Sequence, residues 1–294
     1  MKHHDHILVV GLNRSGTKWL SNSLANHPDI FAVTAEQHFG ILESNIFNDI
    51  SRVLPTLSRE DDYTAFVCLW AESDFVKTTG VTRDDMLNWE PRPKTPYEAF
   101  ERLMNEETCK NSKSVWLQKC SPIQALQASD KLKGTAKVVA IRRPFDRVLE
   151  SSIALHEQSG ANSSFFRNVI VVAIQNRLID YFWNMEDCHC VHFDEMKSDR
   201  DATMRTVCDY LKLPFDSQMT EPRFQQNTSF RNQDRRPLSL AQRSFCQFVQ
   251  LCLKMVPVSW VARFWQRSRS RNPLNMVSGT YRNFDKENVP NEVC

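Results

Sequence analysis

Glycine is scarce in this chain. Ordinary usage of about 7% would give roughly twenty glycines at this length, and the 294 residues contain seven. Two of the seven, Gly11 and Gly16, fall within one six-residue window, where backbone freedom has been kept. A charge bias is also missing. With 37 basic and 35 acidic residues the net charge is +2, so bulk attraction to nucleic acid or a membrane is not expected, although a local basic pocket is allowed. No stretch reaches about 18 uninterrupted apolar residues, which excludes an expected transmembrane helix. The nearest, 245–265, is interrupted by Gln247, Gln250, Lys254, Pro257 and Arg263 and reads as one helix packed on the domain. The start, MKHHDH, lacks a signal-peptide apolar region, because residues 7–10 are only four apolar positions before a glycine. The nine cysteines include no CxxC. A cytoplasmic chain with reduced thiols is therefore expected.

What remains is ordinary globular material, 41% apolar and 24% charged. That excludes disorder, collagen and a coiled coil. A chain of this size buries about three quarters of its unfolded surface, enough for a sizeable core. Short β-branched runs at 6–10, 30–34, 115–118, 138–141 and 190–193 read as strands. Helical spacing at 17–26, 122–132, 146–157, 165–184 and 202–211 alternates with them. The alternation predicts an α/β fold of three layers, a central parallel sheet with helices on both faces. Residues 1–294 read as a single domain. Residues 41–114 read as an insertion shaping an acceptor site, and 238–294 as a helical extension and tail.

The glycine window runs strand, loop, helix: Val10-Gly11-Leu12-Asn13-Arg14-Ser15-Gly16-Thr17-Lys18. Such a loop offers backbone N–H groups and a helix dipole to an anion. The glycine spacing matches the Walker pattern GxxxxGK[ST]. However, Thr17 stands where the lysine should be, and Lys18, one residue later, is turned about 100° around the helix. The cation inside the loop is Arg14. A second anion site is suggested at 138–152, where a strand runs into Arg142-Arg143-Pro144-Phe145-Asp146-Arg147 and then a helix. Arginine at a strand end, facing a helix start with an early proline, suits phosphate.

Together these stretches resemble the sulfotransferases that use 3′-phosphoadenosine 5′-phosphosulfate (PAPS). The chain is closer to their carbohydrate, protein and bacterial-type branches than to the cytosolic small-molecule branch. The first loop resembles the family's [KR]-S-G-T-[TS]-x-L, which implies that Arg14, Ser15, Gly16, Thr17 and Lys18 hold the 5′-phosphosulfate. Lys18 replaces the usual threonine. The second resembles R-[DN]-P-x-x-[RV]-x-x-S and implies Arg142 and Ser151 at the 3′-phosphate. Arg143 departs from the pattern, and Glu150 occupies the family serine position with Ser151 next to it. Residues 191–196 and 209–214 resemble V-x-Y-E-D-L and F-L-G-L-P segments that support the fold. Residues 227–231 resemble an N-T-S-F loop, which implies that Arg231 is cofactor-binding and that this polar loop, followed by Arg235 and Arg236, closes over the 3′-phosphate.

The implied reaction moves a sulfuryl group from PAPS to an acceptor hydroxyl or amine, leaving 3′,5′-ADP and needing no metal. The acceptor could be a carbohydrate, lipid, peptide or small molecule. The cytosolic branch takes its base from a K-[TA]-H motif, but Lys119-Cys120-Ser121 has no histidine. The heparan-type motif K-E-x-H-F-F resembles Ala35-Glu36-Gln37-His38-Phe39 instead. Glu36 is then the expected base, and His38 its partner or replacement. Arg14 and Lys18 are the expected catalytic cations. Two alternatives stay open: a P-loop kinase or NTPase, and a nucleotide-binding homologue that has lost turnover. His3, His4 and His6 read as a mobile terminus rather than a metal site, and the ligand-rich 187–192 lacks a second cluster to close one. The basic run Arg263, Arg267, Arg269 and Arg271 reads as a solvated helix end rather than a nucleic-acid contact.

Overall fold

The computed structural model describes residues 5–132, 135–158, 164–221, 223 and 237–268. Strand β1 (His6–Gly11) is buried throughout and leads through the glycine loop into α1 (Thr17–Ala25). β2 (Ile30–Phe31) follows, then a hairpin of β3 (Thr34–Ala35) and β4 (Gly40–Ile41) closed by a 3-10 turn at Glu36–His38. A π turn at Ile46–Ile50 opens a wholly helical stretch: α2 (Ser51–Val53), α3 (Glu60–Ala71), α4 (Asp74–Thr79), α5 (Arg83–Leu87) and α6 (Pro96–Lys110). β5 (Val115–Cys120), α7 (Pro122–Lys131), β6 (Ala136–Arg142), α8 (Phe145–Gln158), α9 (Phe165–Trp183) and β7 (Cys188–His192) continue the alternation. α10 (Phe193–Ser198), α11 (Arg200–Leu211), α12 (Leu240–Lys254) and α13 (Val258–Ser268) complete the described chain.

Five strands form one sheet in the order β2-β5-β1-β6-β7, every pairing parallel. Alternation along β1 sends Leu8 and Val10 to one face and Ile7 and Val9 to the other. The first face packs on α3–α9, and the second on α1, α10 and α11. The expected three-layer α/β architecture is the observed one. The 41–114 stretch contributes helices and no strand to the main sheet, but it is part of the main core. Phe47, Tyr63, Trp70 and Phe100 are all buried there with Leu8 and Trp116.

Two expectations need correction. His6 is not on a mobile terminus: it is the first residue of β1, fully buried, with its ring stacked 4.4 Å from that of Trp116. The segment 245–265 is not one helix either. α12 and α13 meet at a 106° bend beside Pro257, which lacks the N–H that a continuous helix needs. Arg177 holds the corner, donating from Nε to the carbonyls of Leu253 (3.1 Å) and Val256 (3.4 Å). Among the described residues, no single helix is long and apolar enough to cross a membrane.

Candidate active site

β1 lies in the middle of the sheet, with β5 on one side and β6 on the other. Open parallel sheets bind ligands beyond the carboxyl ends of their strands, where the winding reverses. Register brings three strand ends together there: Gly11 is opposite Ile141, and Val10 is opposite both Ala140 and Cys120. The glycine loop, Arg142 and Lys119 are therefore neighbours because their strands are.

The loop is built around close approach. A Cβ on Gly11 would come within 2.8 Å of Ile141, Ser15 and Thr17. Gly16 has φ +97° and caps α1 without a side-chain hydrogen bond; a Cβ there would sit 2.5 Å from the Phe193 ring. Ser15 and Thr17 are buried, and their hydroxyls donate to the Leu12 carbonyl at 2.7 and 3.1 Å. They brace the loop at the start of α1, and a helix start is where N–H groups and the dipole favour an anion.

Arg14 also takes positive φ, 72°. Its Nε donates to Ser151 Oγ at 3.0 Å, linking the first loop to α8. Ser151 is buried nearly two turns into α8, and Glu150 beside it turns to Arg147 (3.3 Å). Ser151, not Glu150, thus meets Arg14. Arg143 donates to the Arg14 carbonyl (3.1 Å) and lies over the Phe193 ring. Arg142 pairs with Asp180 of α9 and stacks on Trp183. Arg231 lies outside the described residues, as do His3 and His4.

On the other side, Lys18 Nζ donates to the His38 carbonyl at 2.6 Å. Asn22, one turn further along α1, binds the Phe39 carbonyl and the Ile41 N–H, both at 2.9 Å. These contacts hold the 36–41 turn against α1. Glu36 is exposed on that turn, and the His38 ring faces Asp74 at 3.2 Å rather than Glu36. Burial, and then the nearby Lys119, lower the Lys18 pKa, with Glu43 acting in the opposite direction.

Glu43, which the motif comparison did not single out, pairs with Lys119 at the end of β5. It lines a cavity of about 110 Å³ with Asn13 of the glycine loop, Asn45, Asp49, Ser121 and Gln124. Lys119 needs a carboxylate partner, and that was the available signal for Glu43. Among the described residues, no group of three or more His, Cys, Asp or Glu could hold a metal ion.

The model of the sulfotransferase family matches residues 6–217. The chain belongs to the sulfotransferase family. Its reaction is sulfuryl transfer, and the kinase reading of the glycine loop gives way. Two solved relatives have the same fold. The sulfotransferase domain from the curacin biosynthetic pathway is 17% identical, with 90% of this chain and 96% of that chain covered and a TM-score of 0.51. Sulfotransferase STF1 from Mycobacterium tuberculosis H37Rv is 12% identical over 87% and 78% of the two chains, with a TM-score of 0.51. No curated protein matches the sequence.

Proposed function

We propose that this sulfotransferase takes its sulfuryl group from PAPS and passes it to an acceptor held in the cavity beside Glu43. The observation that carries the donor assignment is the Arg14–Ser151 hydrogen bond, which joins the glycine loop to the helix after Arg142. A donor with anionic groups at both its 5′ and 3′ positions fits two cationic sites joined in this way. The 5′-phosphosulfate would rest on the N–H groups of Gly16 to Lys18, with Arg14 beside it. The 3′-phosphate would take Arg142 and Ser151, drawing Arg142 from Asp180. The loop can take this shape only without side chains at Gly11 and Gly16, where a Cβ would collide with Ile141, Ser15 and Thr17 or with Phe193, and that close-packed turn presents the N–H groups at the start of α1 to such a group.

In the transfer, the acceptor oxygen forms a bond to sulfur as the bond from sulfur to the bridging phosphate oxygen breaks. 3′,5′-ADP leaves with that electron pair. Arg14 and Lys18 offset charge as it develops on the leaving oxygen. The acceptor proton goes to a carboxylate. Glu43 lines the cavity and touches Lys119, so it is our first choice. Glu36, on the exposed turn held by Lys18, is the second. Asn45 and Asp49 line the same cavity, supporting 41–114 as the acceptor-selecting segment of a single domain.

The test uses whichever hydroxyl acceptor a panel of alcohols, phenols and sugars identifies. Glu43→Gln keeps shape and removes basicity, so kcat should fall by about 10²–10⁴ while 3′,5′-ADP affinity holds. Glu36→Gln should cost less. The reverse ranking would return the role to Glu36, and full activity in both would remove the carboxylate base.

A further inference from the structure

The outer faces of α12 and α13 are apolar and stand in solvent. Leu240, Phe248, Leu251, Met255, Trp260 and Phe264 are each at least 61% exposed. Leu240, Phe248 and Leu251 share one side of α12, continued by Met255 at its C-cap, and Trp260 and Phe264 lie one turn apart on α13. The inner faces are already used. Cys246, Val261 and Trp265 are buried, and the Phe245 ring packs 5.1 Å from Phe166 of α9. An exposed apolar face of this extent calls for a partner.

Charge identifies which partner. Residues 240–268 hold four Lys or Arg and no Asp or Glu, and residues 235–284 hold nine and none. The rest of the chain is therefore acidic overall. Arg243 and Lys254 are exposed along one flank of the α12 stripe, and Arg263 lies beside the pair on α13. We infer that α12 and α13 together seat the protein on an anionic lipid surface, the apolar stripe entering the headgroup boundary and the flanking cations meeting lipid phosphate and carboxylate. An amphipathic helix with Phe, Leu and Trp on one face, bordered by Lys and Arg, has this physics. A second copy fits poorly, since it would bring cations against cations with no carboxylate on either helix. The 106° bend, with both inner faces packed on α9, suits lying on a bilayer rather than crossing it. The inference is independent of the donor and base assignments. Trp265, on the inner side of α13, lines the cavity beside Glu43, so such a surface would also bring the candidate acceptor site close to lipid headgroups.

The test is cosedimentation of the full chain with vesicles of phosphatidylcholine alone or with about 30% phosphatidylserine. Binding to the anionic vesicles should exceed binding to neutral ones by at least about tenfold and weaken as salt is raised. Phe248→Glu with Trp260→Glu should abolish it, with thermal midpoint and 3′,5′-ADP affinity unchanged. Arg243→Glu with Lys254→Glu should remove the preference for phosphatidylserine. Failure to bind anionic vesicles, or undiminished binding by the Glu variants, would overturn the inference. So would a dimer in sedimentation equilibrium that the Phe248→Glu, Trp260→Glu variant splits, since the face would then belong to a second copy.

Discussion

At the scale of single residues, Lys18 shows how a departure from a motif acquires meaning from its surroundings. A threonine there would offer a hydroxyl. The lysine instead reaches across to the 36–41 turn and carries a lowered pKa, chiefly from burial and then from Lys119. A depressed lysine pKa means that the folded state binds the proton less tightly than the unfolded state. Its charge therefore costs stability at neutral pH, and the cost fades as pH climbs from the lowered value toward the ordinary 10.5. Lys18→Met should consequently melt higher than the parent at pH 7, and the gap should narrow as pH approaches 10. Melting curves of the two proteins in parallel check this, and a gap that widens with pH would reverse the sign assigned to Lys18. Arg14, Gly16 and Arg142 were legible in the sequence because glycine spacing and an arginine at a strand end are local features. Glu43 was not, because it joins the candidate site through Lys119, 76 positions away in the chain, and only the fold makes them partners.

At the scale of elements, the glycine loop and the arginine segment after β6 come together because β1 and β6 are adjacent parallel strands. The strands were readable from short β-branched runs, and the three-layer fold followed from their alternation with helices. Strand ends were less readable: β7 stops at His192 because Phe193 begins α10, packing its ring beside Gly16. The break at Pro257 was visible as a residue, but the contact of Arg177 with the corner carbonyls of Leu253 and Val256 joins distant parts of the chain, which a one-dimensional pattern does not reveal. The link between the β1 loop and α8 can be measured. Arg14→Ala and Ser151→Ala should each weaken 3′,5′-ADP binding, and the double variant should lose less than the two losses added. The coupling should be about 0.5–3 kcal/mol, the usual range for residues in contact. Calorimetric titration of the four proteins reads it. Strict additivity would mean that the two side chains do not serve one ligand.

At the scale of the whole molecule, the family match ends at residue 217, before the basic, acid-free stretch that contains α12 and α13. Sulfuryl transfer and surface attachment would thus be carried by different parts of the chain, meeting at Trp265. In the proposed donor assignment, the pairing of two cationic sites across the end of one sheet would separate a 3′-phosphorylated donor from an ordinary nucleotide. Thermal shift with 3′,5′-ADP, ADP and ATP at equal concentration tests it most directly. A ligand present at about 100 times its Kd adds roughly 2.7 kcal/mol of stability. 3′,5′-ADP should raise the midpoint on that scale while ADP and ATP do little. Arg142→Ala, compared with its own free form, should reduce the 3′,5′-ADP shift to that of ADP. Equal shifts from ATP and 3′,5′-ADP, or a 3′,5′-ADP shift that survives Arg142→Ala, would contradict the two-site donor.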